Sequence, residues 1–144
     1  MAATPTVDLS TAAQDEIVLR GGNLHDQRAQ QVVRTQYARP NQHYPDLQVG
    51  LSCLFRPGAS LDELAIEGNY PNPNLSVTTV HRLTTELAKI QCTLALYVTP
   101  VPHFPDHHTL VFFRTTKVEK TLEDDVLDAL VRAMTIVKNL HRKQ

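Results

Sequence analysis

Three histidines and an aspartate fall between positions 103 and 108 of this chain: His103, Asp106, His107 and His108. Neutral imidazole nitrogens bind transition metals, and a neighbouring carboxylate completes or orients such a site. His103, His107 and His108 are therefore candidate metal ligands. Their spacing matches no compact helical metal motif, and a fourth ligand would have to converge from His43 or Asp46. The plainer reading is a proline-rich loop that carries its histidines in solvent. A second set of polar side chains sits between Ser76 and Ile90. There Val77, Val80, Leu83, Leu87 and Ile90 form one helical stripe, and Thr78, Thr79, Arg82, Thr85, Glu86 and Lys89 form the opposite one. An exposed helix with short polar and basic side chains in its first turns is what a major groove accepts, because that end reaches base edges and phosphates. Thr78, Thr79, His81, Arg82 and Lys89 are thus candidate nucleic-acid contacts. The alternative is an amphipathic helix whose polar face is only solvated.

Nucleophile and phosphate motifs are missing. Ser52 stands in Gly50-Leu51-Ser52-Cys53, which lacks the glycine a hydrolase elbow needs after its nucleophile, and Gly21-Gly22 is not followed by the Lys and Ser or Thr of a phosphate loop. Cys53 and Cys92 are the only cysteines and lie inside apolar runs, so they read as reduced, buried hydrophobes and not as a zinc pair or a disulfide framework. Turnover is not indicated, and no cofactor is expected. A formal net charge of −1 argues against a protein that coats polyanions, although it leaves room for a local basic patch.

The elements that must position these residues follow from pattern. A chain of 144 residues is long enough to bury one core and is expected to form one domain over 15–144, behind a flexible small-residue arm at 1–14. Residues 16–20 suggest a short strand stopped by Gly21 and Gly22. Leu24 to Arg39 suggests a helix capped by Asn23 and ended by Pro40, and Asn41 to Asp46 suggests a loop. Leu47 to Phe55 fits a strand and a helix equally. Ser60 and Glu63 have capping-box spacing, predicting a helix to Glu67. Ser76 caps the next helix. Thr93–Thr99 and Thr109–Thr115 predict an antiparallel hairpin across a loop containing Pro100, Pro102 and Pro105. From Thr121 to His141, Leu122, Val126, Leu130, Met134, Val137 and Leu140 make one long stripe, with acids in the first turn and bases in the last. That closing helix is expected to cover the sheet or to pair with a second copy as a homodimer. No apolar run approaches the about 20 residues needed to span a bilayer, and no signal sequence is apparent, so an intracellular location is expected.

Taken as helix, short helix, turn, longer helix and hairpin, Leu47 to Thr115 resembles the winged helix-turn-helix superfamily of DNA-binding regulators. Ser60 to Ala65 match its second helix, and Ser76 to Leu83 match the start of its recognition helix. The resemblance implies a duplex-DNA partner contacted through Thr78, Thr79, His81, Arg82 and Lys89. If Leu47 to Phe55 is instead a strand, the order of elements resembles the thioredoxin-like fold without its paired cysteines, which implies a binding or structural role. The sequence thus predicts an α+β fold, a small sheet including a C-terminal antiparallel hairpin packed by amphipathic helices. It predicts a non-enzymatic binding module, most concretely a winged-helix-like DNA-binding regulator. The alternatives are a protein-interaction or assembly protein using the hairpin tip and the closing helix, and a small metal-dependent enzyme using the loop histidines.

Overall fold

The computed structural model describes residues 15–39, 49–99, 106–115 and 117–142. The expected arm at 1–14, the loop 41–46 with His43 and Asp46, and His103 lie outside the described residues. The elements in chain order are β1 (Ile17–Gly21), α1 (Gln27–Ala38), β2 (Leu51–Phe55), α2 (Leu61–Gly68), β3 (Asn74–Thr79), α3 (Val80–Ala88), β4 (Thr93–Val98), β5 (His107–Arg114), β6 (Lys117–Val118), α4 (Asp124–Ala133) and β7 (Thr135–Lys138). Strands pair in the order β4-β5-β2-β1-β3-β7, with β6 beside β5, and every pairing is antiparallel. The fold is α+β, as its sequence implies.

Helices cover both faces of the sheet. On one face α1, α3 and α4 bury Val33, Tyr37, Val80, Leu83, Leu87, Val126 and Leu130 against Val18, Leu51, Phe55, Leu96, Leu110 and Phe112. On the other, α2 alone sets Leu64 and Ala65 against Leu19, Leu54 and Leu75. Consecutive strand residues point to opposite faces, so Val18 and Leu19 divide between the two cores. The double cover is confined to the middle of the sheet: the second core takes residues from β1, β2, β3 and β7, while the hairpin's Leu96, Leu110, Val111 and Phe112 belong to the first.

Several expectations are corrected here. Leu51–Phe55 is a strand, paired on both sides, which removes the first helix of the winged arrangement. The thioredoxin-like alternative also fails as drawn, because two further strands, β3 and β7, extend an entirely antiparallel sheet. Residues 76–79 are not helical: Asn74–Thr79 is strand β3, and the helix begins only at Val80 with Thr79 as its N-cap. Val77 sits in phase with the apolar stripe of α3, yet it packs in the opposite core from Val80 and Leu83. A β-branched run beside the open edge of β1 gains more as a ladder than as a helical first turn. At α1 the cap is Asp26 and not Asn23, whose Oδ1 accepts from His25 N at 2.9 Å in a local turn.

The expected helix from Thr121 to His141 stops at Ala133 and turns into β7. Thr135, Ile136 and Val137 are three β-branched residues in succession, and they pair with Val77, Ser76 and Leu75 of β3. Neither glycine nor proline marks the break. Other residues satisfy the open carbonyls instead: Arg82 Nη2 donates to Arg132 O at 3.1 Å, and His25 Nε2 lies 3.2 Å from Val131 O and 3.0 Å from Met134 O. Carbonyl oxygens only accept, so the proton of His25 is on Nε2. The apolar stripe of α4 is buried in the chain's own core, from Leu122 to Met134.

Candidate functional site

The β1–β2 ladder is short. It registers Val18 with Phe55 and Leu19 with Leu54, while Arg20 and Gly21 stay paired only with Ser76 and Leu75 on β3. Beyond Leu19 the two strands part, and a cleft opens between them. Its volume is about 520 Å³. Arg20 and Ser52 form its floor, α1 walls one side with Ala29, Val32 and Val33, and the segment carrying Tyr70 and Asn72 borders it from the α2 side. The cleft is sized like a small-molecule site, for which about 300–1,000 Å³ is usual.

Arg20 spans the gap where the ladder ends. Its Nη1 donates to Ser52 O at 2.8 Å, and its Nη2 donates to Gln36 Oε1 of α1. Both acceptors are neutral. Burial pulls the Arg20 pKa below its ordinary value, with the nearby Cys53 and Tyr70 acting in the opposite sense. Among the described residues, the other partly exposed arginines meet carboxylates: Arg34 pairs with Asp124, Arg56 with Asp106 and Glu63, and Arg114 with Glu119 and Asp125. No carboxylate among the described residues pairs with Arg20. A half-buried cation that meets no carboxylate among the described residues has lost hydration that those residues do not restore, and the chemistry that restores it is an anion.

The border is built to fit. Tyr70 packs between two glycines: a Cβ at Gly21 would stand 2.6 Å from its Cδ1, and one at Gly68 would stand 2.8 Å from its Cδ2. Burial pushes the Tyr70 phenol up to about 12, so it is a neutral donor and no base. Ser76 fixes the turn after β1 by donating to Gly22 O at 2.7 Å and accepting from Leu24 N at 2.9 Å. Gly22, at φ 94°, allows the chain to swing from β1 into the N-terminus of α1. Cys53, fully buried beside Arg20, has its thiol pushed up to about 12 by that burial and is unreactive. Nothing here has the nucleophile–base geometry of a catalytic site.

Residues singled out from sequence are dispersed. Thr78 is buried at 2% exposure in β3, and Thr79 spends its hydroxyl capping α3, accepting from Arg82 N at 3.2 Å. His81 and Arg82 are exposed on α3, and Lys89 is exposed as its C-cap. Arg82 Nη1 also reaches Thr135 Oγ1 at 2.6 Å, and Lys89 Nζ reaches Glu86 Oε2 at 2.8 Å. The five do not form one helical face. His107 and His108 are adjacent in β5, not in a loop tip, so strand alternation sends them to opposite faces. His108 is buried, its Nδ1 2.8 Å from Asp106 O and its ring edge-on to Phe55 at 5.4 Å. Burial lowers the pKa of both histidines. Among the described residues no group of three or more His, Cys, Asp or Glu side chains could hold a metal ion.

Sequence reasoning missed Arg20, Gln36, Tyr70 and Asn72. The signal available was Arg20 itself, a charged residue directly after the apolar Ile17–Leu19 run and before two glycines, but strand splitting cannot be seen in one sequence. No helix among the described residues is long and apolar enough to cross a membrane. Comparisons with protein-family models, with curated proteins and with solved structures find no match to this chain.

Proposed function

We propose that this chain is a non-enzymatic binding module whose ligand is a small anion seated on Arg20 in the cleft between β1 and β2. The observation that carries the reading is the half-buried guanidinium that bonds, among the described residues, only to neutral oxygens, while Arg34, Arg56 and Arg114 are ion-paired. A planar guanidinium has five N–H donors, and Arg20 gives two of them to described residues, so donors remain for an incoming anion. Amide chemical shifts of Gly21, Gly22 and Asn23 test it during titration of the full chain with acetate, phenylacetate, sulfate and phosphate. At least one of these anions should produce saturable shifts there, and Arg20→Gln should abolish them. If none of the four shifts those amides in the parent protein, the reading is overturned.

Duplex DNA is the second reading, favoured by the exposure of His81 and Arg82 on α3 and of Lys89 at its C-cap. It predicts a salt-dependent gel shift that Arg82→Ala weakens and Arg20→Gln leaves alone. An assembly role would instead show as a concentration-dependent mass indifferent to both substitutions.

A further inference from the structure

Resting on the anion reading above, we infer that the cleft selects a monocarboxylate carried on an apolar body, of the arylacetic or branched alkanoic kind, over a phosphate. Two independent features of the cleft narrow the class. The first is charge. A phosphate at the start of a helix normally takes the free N-terminal amides. Here Asp26 lines the cleft and already holds them: its Oδ1 accepts from Arg28 N at 2.7 Å and from Ala29 N at 3.4 Å. A dianion would meet that carboxylate, whereas a monoanion can stay on Arg20. The guanidinium fork also matches the two coplanar oxygens of a carboxylate.

The second feature is the wall. Val32 is 46% exposed, one of the few large apolar side chains left open among the described residues, and it stands on the cleft beside Ala29 and Val33. From the opposite side come the Tyr70 ring and the Asn72 carboxamide, whose side chain has no hydrogen-bond partner among the described residues. An acid with an aromatic or branched body would cover Val32, present its carboxylate to Arg20 and accept a further bond from Asn72 Nδ2. Inorganic phosphate or acetate would leave that wall wet.

Calorimetric titration of the full chain with sodium phenylacetate, sodium acetate, phenyl phosphate and neutral phenylacetamide decides the matter. Phenylacetate should bind at least about tenfold more tightly than each of the other three, the equivalent of about 1.4 kcal/mol. Val32→Glu, a change at an open helix position, should weaken phenylacetate by at least about tenfold without lowering the melting temperature. Phenyl phosphate binding more tightly than phenylacetate, or acetate equalling it, would overturn the ligand class and leave the anion reading standing. Phenylacetamide equalling phenylacetate would sink the class and the anion reading together, as would the absence of binding by all three acids.

Discussion

Arg20 and Arg56 stand at opposite ends of the same short ladder, and they keep opposite company. Arg20 leaves β1 where the strands part and finds only the Ser52 carbonyl and the Gln36 amide oxygen. Arg56 follows β2 at the end where the strands are joined, and its Nε meets Asp106 Oδ2 at 2.8 Å while its Nη2 meets Glu63 Oε2 at 3.3 Å. The shifts agree with the contacts: the hydrogen bonds that Arg56 donates to the two carboxylates raise its pKa, and burial lowers that of Arg20. One guanidinium is a staple that ties the start of β5 to α2 and the end of β2. The other meets no carboxylate among the described residues. The difference teaches where to look for function in a sheet protein without catalytic motifs, namely at the end of the ladder whose charge is unbalanced.

The largest expected effect comes from filling the space that lets the open end exist. Gly21 has ordinary strand geometry, so the objection to a side chain there is the Tyr70 ring and not the backbone. Gly21→Val should therefore cost about 1–3 kcal/mol by overpacking, read from urea denaturation, and should abolish anion binding because Tyr70 and Asn72 must move. A Gly21→Val protein as stable as the parent would show that the Tyr70 lid gives way freely and that the cleft is not fixed.

A smaller effect, but a sharper contrast, comes from replacing each arginine by an apolar side chain of similar length. Arg56→Met removes the cation from Asp106 and Glu63 together and should lower the melting temperature at neutral pH and low salt. Arg20→Met leaves no carboxylate unpaired and removes a desolvated charge, so its melting temperature should fall less, or rise, while anion binding disappears. The two ends are alike after all if Arg20→Met is the more damaging change.

How much of this was legible depended on whether period and neighbour agreed. At Ser60 and Glu63 they did: the reciprocal cap forms as the spacing implies, with Glu63 N donating to Ser60 Oγ and Ser60 N donating to Glu63 Oε1, each at 3.1 Å. The β4–β5 hairpin was legible for the same reason, since two short apolar runs on either side of a proline-rich loop have a single plausible state. At Val77 and at Val137 they did not agree. Each fits the phase of an adjacent helical stripe, yet both lie in β3 and β7, which pair with one another, so a long-range ladder decides both segments. Local pattern cannot report a partner about 60 residues away, and both errors share that cause. Arg20 was hidden for a related reason: its meaning depends on where β1 and β2 separate, which is a property of three strands and not of one.

The smallest effect concerns a titration confined to the stapled end. Glu67, at the end of α2, has its carboxyl raised to about 7, first by burial and then by its hydrogen bond to Asp106, with the Arg56 charge opposing. An unfolded glutamate ionises near 4.5, so between that pH and about 7 the unfolded chain releases a proton that the folded chain retains. Ionisation thus favours unfolding increasingly across that window and adds nothing further above it. His107 and His108, held low by burial, titrate in the opposite sense below 6.5, and the lowered carboxyls of Glu63 and Asp125 act in more acid solution. All of these cancel when Glu67→Gln is compared with the parent at each pH. The glutamine variant should gain in melting temperature relative to the parent as pH rises from 4.5 to 7 and hold that gain above 7, with anion binding at Arg20 unchanged throughout. A difference that stays flat with pH would mean that Glu67 is ordinarily hydrated, and a difference that alters the affinity at Arg20 would mean that the two ends of the ladder are one site.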